Sequence, residues 1–187
     1  MKKSPTYYIG TSLIVISLAI FAYILYPLAR IYLFPPSIID FSRSEYTLVI
    51  PKINAIGRVL EDVDPWNESS YKDLLKKGIG QAKGFAYPDE SGPVFLFAHS
   101  SGTPWEITHY NTVFLRLPEL RKDDTIQIWF KGKEYRYKVI RTQEVYPTEV
   151  SVVRNEKEAD LILQTCTPLG TDWKRLLVFA KRIEAKE

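Results

Sequence analysis

The chain's one cysteine, Cys166, follows the apolar run L-I-L-Q and Thr165 and precedes Thr167-Pro168-Leu169-Gly170, so a thiol stands where a strand ends and a turn begins. A lone cysteine is often a plain buried core residue. Two features point instead to chemistry: the strand-end position, and Arg175, which opens the next apolar run. A hairpin returning from Cys166 would set a guanidinium beside the sulfur, and a nearby cation favours the thiolate, the nucleophilic form. A thiolate that attacks an acyl group also needs a proton donor for the departing amine, and histidine is the side chain whose ordinary pKa suits that task. Two histidines are available. His99 ends the run V-F-L-F-A and begins the polar stretch Ser100-Ser101-Gly102, another strand end, whereas His109 lies inside a loop beside Tyr110. Either could instead be a partly buried histidine satisfied by backbone, a description that suits His109 better than His99. Cys166, His99 and Arg175 form a candidate set for acyl transfer through a thioester, with their proximity left open by the spacing.

The elements that must position this set read as strands. After Ser44 the chain turns to short runs rich in β-branched and aromatic residues, broken by turn signals at intervals of roughly ten residues, the pattern of an all-β sandwich or barrel. Strands are predicted at Tyr46 to Ile50, Ala55 to Leu60, Val94 to His99, Thr125 to Lys131, Glu134 to Gln143, Leu161 to Thr165 and Arg175 to Ile183, with Lys131-Gly132-Lys133 as a tight hairpin. Asp64-Pro65 offers a helix start, and Tyr71, Leu74 and Leu75 recur at helical spacing until Gly78, which predicts one short helix. The stretches Ser100 to Asn111 and Tyr146 to Ala159 are the longest without a clear period, and long loops on a rigid sheet are where sites usually sit.

No charged residue occurs between Lys3 and Arg30, and the stretch is apolar around its whole circumference. About 20 such residues cross a hydrocarbon core of about 30 Å. Tyr7, Tyr8, Tyr26 and Tyr32 suit the two interfaces, which predicts one membrane span over 7–28 behind a cytoplasmic tail of 1–6, followed by a linker over 29–44 and the folded domain over 45–187. Pro27 and the Pro35-Pro36 pair are expected to end the helix, and Pro27-Leu28-Ala29 makes a poor signal-peptide cleavage site. The expected topology is single-pass, with the N-terminus inside and the domain outside.

Composition narrows the classes. The 187 residues carry 25 basic and 22 acidic side chains; setting aside Lys2, Lys3 and Arg30 leaves the rest balanced, so charge gives no support to a nucleic-acid partner. One cysteine excludes an internal disulfide, and with two histidines it leaves too few soft ligands for a zinc or iron–sulfur site. Glu61, Asp62, Asp64, Glu144 and Glu149 are read as solvated loop acids, and no metal is assigned.

These residues also resemble a known family. L-Q-T-C-T-P ending a strand, with R-L-L-V-F-A-K-R-I resuming nine positions after the cysteine, is similar to the active-site hairpin of the sortases, membrane-anchored cysteine transpeptidases of bacterial surfaces. F-A-H-S resembles the family's histidine strand end, and L-V-I-P-K-I, L-L-K-K-G-I-G-Q-A-K-G, P-D-E-S-G-P-V-F-L-F-A-H and Y-R-Y-K-V-I-R-T-Q-E-V-Y-P-T-E-V follow its order over Tyr46 to Ile183. The short interval from Cys166 to Arg175 is similar to the pilin-polymerising branch. Asp64-Pro65-Trp66 resembles that branch's lid motif but falls after the P-K-I strand, and Ile162 stands where many members carry threonine.

The resemblance implies a closed sortase-like β-barrel of about eight strands with one or two short helices, preceded by the single transmembrane helix. It implies Cys166 as nucleophile, His99 as general acid and base, and Arg175 as the group that steadies substrate and oxyanion. Thr165, Ser100, Pro147, Val150 and Val153 are assigned to substrate binding. The implied substrate is the LPXTG-like sorting signal of a surface protein, cleaved between Thr and Gly; the acceptor is an amine of a cell-wall precursor or a pilin lysine, and no cofactor is required. A thiol hydrolase using the same three residues, and a non-catalytic membrane-tethered binding barrel with an inert Cys166, are the alternatives.

Overall fold

The computed structural model describes residues 4–33, 45–65, 73–99, 113–149, 151–168 and 171–183. The chain divides into two units, 1–35 and 36–187. In the first, one helix runs from Pro5 to Leu33, and its Pro5–Tyr26 portion is long and apolar enough to cross a membrane. The expected stop at Pro27 does not occur. A proline removes one backbone donor from the ladder, and a long apolar helix absorbs that single loss.

The second unit is built on alternation. In β5 (Thr125–Phe130) every second residue is buried, and its neighbour β6 (Lys133–Val145) buries Tyr135, Tyr137 and Val139 in the same rhythm. Lys131 and Gly132 join the two with φ of 51° and 76°, the doubly left-handed turn that matches the twist of a two-residue hairpin. The remaining strands are β1 (Thr47–Ile50), β2 (Ala55–Val63), β3 (Ile79–Ala82), β4 (Val94–Phe97), β7 (Leu161–Thr167) and β8 (Lys174–Ile183). They close in the order β1-β2-β3-β4-β7-β8-β6-β5, with β2–β3 and β4–β7 parallel and the other pairs antiparallel.

All eight strands send side chains into one interior cluster that includes Leu48, Val59, Ile79, Leu96, Ile128, Tyr137, Leu163 and Val178. A second cluster lies on the outer face of β4, β7 and β8, formed by Phe95, Phe97, Ile162, Leu177 and Phe179 with Val145, Val153 and Ala159. Cutting both faces of β7 off from water explains why its sequence reads as a nearly continuous apolar run.

Two further differences from the sequence reading concern the connections. β3 was not expected, and the Tyr146 to Ala159 loop contains a helical turn, Ser151–Arg154. Of the helix predicted from Asp64 to Gly78, residues 73–75 are helical, while 66–72 lie outside the described residues, as do the Ser100 to Asn111 loop and most of the 29–44 linker.

Candidate active site

Strand register fixes the neighbours of the thiol. In the antiparallel β7–β8 pair Cys166 stands directly opposite Arg175, and in the β6–β8 pair Arg175 stands opposite Val145. On the other side, parallel β4 pairs Phe97 with Gln164. The pairing carries on past the end of β4: the Ala98 amide donates to the Gln164 carbonyl at 3.2 Å, and the Thr165 hydroxyl donates to the Ala98 carbonyl at 3.1 Å. Extended by one position, this register would put residue 99 level with Cys166. Cys166 and Arg175 therefore share one row at the end of β7 and β8, and His99 follows β4 at the same end.

Which face they occupy follows from period two. Phe95, Phe97, Ile162, Leu177, Phe179 and Val145 all belong to the outer cluster, and Cys166 and Arg175 continue the same alternation within their strands. Below the row the outer face is sealed: Phe95, Ile162 and Phe179 are each at most 4% exposed. Burial loosens at Gln164, then at Cys166, Arg175 and His99, all half-buried. The apolar layer thus opens at the row that carries the thiol.

Arg175 is held by its own hairpin, its Nη1 donating to the carbonyls of Asp172 at 2.9 Å and Lys174 at 3.4 Å. The turn leading into it is pinned at Thr171, whose hydroxyl donates to the Pro168 carbonyl at 2.8 Å. These two bonds restrain one edge of the planar guanidinium against its own turn.

The residues expected to touch substrate fall into three groups. Pro147 is exposed just beyond β6. Thr165 and Val153 are 2% and 7% exposed; the first spends its hydroxyl on Ala98, and the second packs in the outer cluster from the helical turn. Ser100 and Val150 lie outside the described residues. The sequence reading passed over Gln164, two residues before Cys166 and on the same face, next to Phe97 and Leu177 in register. Period-two alternation within L-I-L-Q-T-C carried that signal. Among the described residues no group of three His, Cys, Asp or Glu side chains could hold a metal ion.

Comparison with known proteins agrees with this arrangement. The Sortase domain family profile matches residues 48–183, from β1 to the end of β8. Sortase D of Bacillus subtilis (strain 168) is 35% identical over 141 residues, covering 73% of this chain and 62% of the relative, so the chain spans less than two thirds of that protein's length. Among solved structures, sortase C-1 from Actinomyces oris superposes with a TM-score of 0.64 at 26% identity, covering 79% of this chain and 77% of that one. The pilus-related sortase C of Group B Streptococcus gives 0.61 at 26% identity over 78% and 70%. Both are C-type enzymes, in keeping with the resemblance of the Cys166–Arg175 hairpin to the pilin-polymerising branch. A closed barrel of this strand order, with a family match running its full length, makes this chain a member of the sortase family.

Proposed function

We propose that the chain is a cysteine transpeptidase that cleaves an LPXTG-like sorting signal between threonine and glycine and passes the acyl group to an amine. The observation that supports this reading is the β7–β8 pairing in which Cys166 stands opposite Arg175, with His99 following β4 at the same end. The Cys166 sulfur attacks the threonine carbonyl, and the carbonyl electron pair moves onto an oxyanion that the Arg175 guanidinium stabilises. His99 gives a proton to the departing glycine amine as the C–N bond breaks, leaving a thioester on Cys166. An acceptor amine, from a wall precursor or a pilin lysine, then attacks that thioester; His99 takes its proton and the thiolate is released. No step calls for a cofactor.

Pro147, Val150 and Ser100 line the peptide groove in this scheme. Thr165 and Val153 act as positioning residues, the first by fastening the His99 segment to β7 and the second by seating the β6–β7 loop. Incubation of the full-length chain with Leu-Pro-x-Thr-Gly peptides should yield a Cys166 adduct whose mass equals the peptide up to threonine less one water. Intact wild-type protein that gains no mass with any such peptide overturns the reading.

The Pro5–Leu33 helix anchors the enzyme with the barrel outside the cell. Protease added to intact cells should remove the barrel and leave a short membrane stub. A protected, full-length chain would put the thiol in the cytoplasm and remove the surface role.

A further inference from the structure

Strand β6 changes face partway along. Val139 points into the barrel opposite Ala180, but the next registered pair is Arg141 with Phe179, and Phe179 belongs to the outer cluster. Ile140 is the extra residue of a β-bulge, and without it alternation would aim Arg141 at the interior. Bulges interrupt a ladder, and they recur where a side chain has to be re-aimed beside a site. Here the re-aimed side chain is Arg141, whose Cζ lies 3.5 Å from the centre of the Phe179 ring.

Arg141 meets Glu156 there. The Glu156 carboxylate is 4% exposed and pairs with the Arg141 guanidinium through Oε2, while Oε1 accepts from the backbone amides of Lys157 at 3.1 Å, Glu158 at 2.8 Å and Ala159 at 3.0 Å. Burial alone would raise the pKa of Glu156, but the amides of Glu158 and Ala159, the Arg141 charge and the Lys157 amide outweigh it and hold the carboxyl below its usual range. The far end of the same loop has its own clasp, the Tyr146 amide donating to Glu149 at 2.5 Å. Between the two clasps sits the helical turn Ser151–Arg154, with Val153 and Ala159 packed on the outer cluster. The loop therefore leaves the Arg175 row at Val145 and is tied down at Glu156 beside the Arg141–Phe179 row, two rows below Cys166.

Only the carboxylate of this ion pair is buried, the Arg141 side chain being 39% exposed, so the pair by itself is weak evidence for stability. It does fix geometry, because only a carboxylate gathers three amides and a guanidinium at one point. Resting on the acyl-transfer reading, we propose that Arg141 and Glu156 are positioning residues that clamp the 146–160 loop as one wall of the peptide groove beside Cys166. They set how tightly the sorting peptide binds and leave the nucleophile untouched.

The test uses the full-length chain in detergent, with saturation kinetics on a Leu-Pro-x-Thr-Gly peptide, iodoacetamide labelling of Cys166 and amide exchange at 157–159. Glu156→Ala and Arg141→Met should each raise KM roughly tenfold, equivalent to about 1.4 kcal/mol of peptide binding. Exchange at 157–159 should accelerate, with kcat and the labelling rate unchanged. Glu156→Gln, whose one amide oxygen still accepts the backbone donors but whose NH2 group would face the Arg141 guanidinium, should recover only part of the KM. If exchange accelerates in Arg141→Met or Glu156→Ala while KM stays at the wild-type value, or if kcat falls with KM constant, the clamp is not a groove wall and the proposal is overturned. Wild-type protein that forms no thioester is a separate result, seen before any variant is made; it overturns the transferase reading and, with it, the groove this wall would serve.

Discussion

Full-length chain carrying Cys166→Ala gains no mass when incubated with a sorting-signal peptide, and His99→Ala lowers kcat by roughly 10²–10⁴, the usual contribution of a positioned acid–base group. The two losses differ in kind. Without the sulfur no acyl bond can form, whereas without His99 the thiol is still present and slow acylation survives, because water can carry the proton at a penalty. Iodoacetamide should therefore still label His99→Ala at Cys166. His109→Ala, at the second histidine and outside the described residues, should change kcat less than about threefold, the range of a residue that is not a proton carrier. An essential His109 beside a dispensable His99 would contradict this assignment, which rests on the β4–β7 register running on toward Cys166.

Much of this site was legible because its members end strands. V-F-L-F-A-H and L-I-L-Q-T-C are both buried on two faces, so each reads as an apolar run that stops at a polar or reactive side chain. What the sequence could not supply was the pairing. Parallel β4 and β7 are 67 positions apart in register, and nothing local specifies a partner at that distance.

Strand β3 was missed for a local reason. Ile79-Gly80-Gln81-Ala82 carries one β-branched residue, yet Gly80 is there because a Cβ would lie 2.9 Å from the Phe97 ring, which packs across from it. Small residues in a strand often mark close approach rather than a turn. The bulge at Ile140 was equally silent: Y-K-V-I-R-T-Q alternates well enough to conceal which residue is unpaired, and only the opposed strand reveals that Arg141 and Val145 have moved to the outer face. Helical turn Ser151–Arg154 is four residues long, too short for periodicity to declare itself.

The remaining large effect is at Arg175. Its Nη1 is tied to the Asp172 and Lys174 carbonyls while its strand position stands opposite Cys166, and in the proposed chemistry the rest of the guanidinium serves the oxyanion. Removing one preorganised oxyanion donor from an acyl-transfer site typically lowers kcat by roughly 10²–10³. Arg175→Ala should show a loss of that order. Arg175→Lys should recover little of it, because an ammonium on a flexible stem cannot both hold the Asp172 carbonyl and aim a second donor at the oxyanion. The alternative is that Arg175 only braces the β7–β8 hairpin through Asp172 and Lys174. The two accounts differ in what falls together: a brace lost would lower the melting temperature and raise KM with kcat barely changed, whereas an oxyanion donor lost lowers kcat while the folded barrel and its thiol labelling persist. Single-turnover acylation read by mass, with thermal unfolding on the same samples, separates them; a full wild-type acylation rate in Arg175→Ala would remove the arginine from the chemistry and leave Cys166 and His99 to work with some other donor.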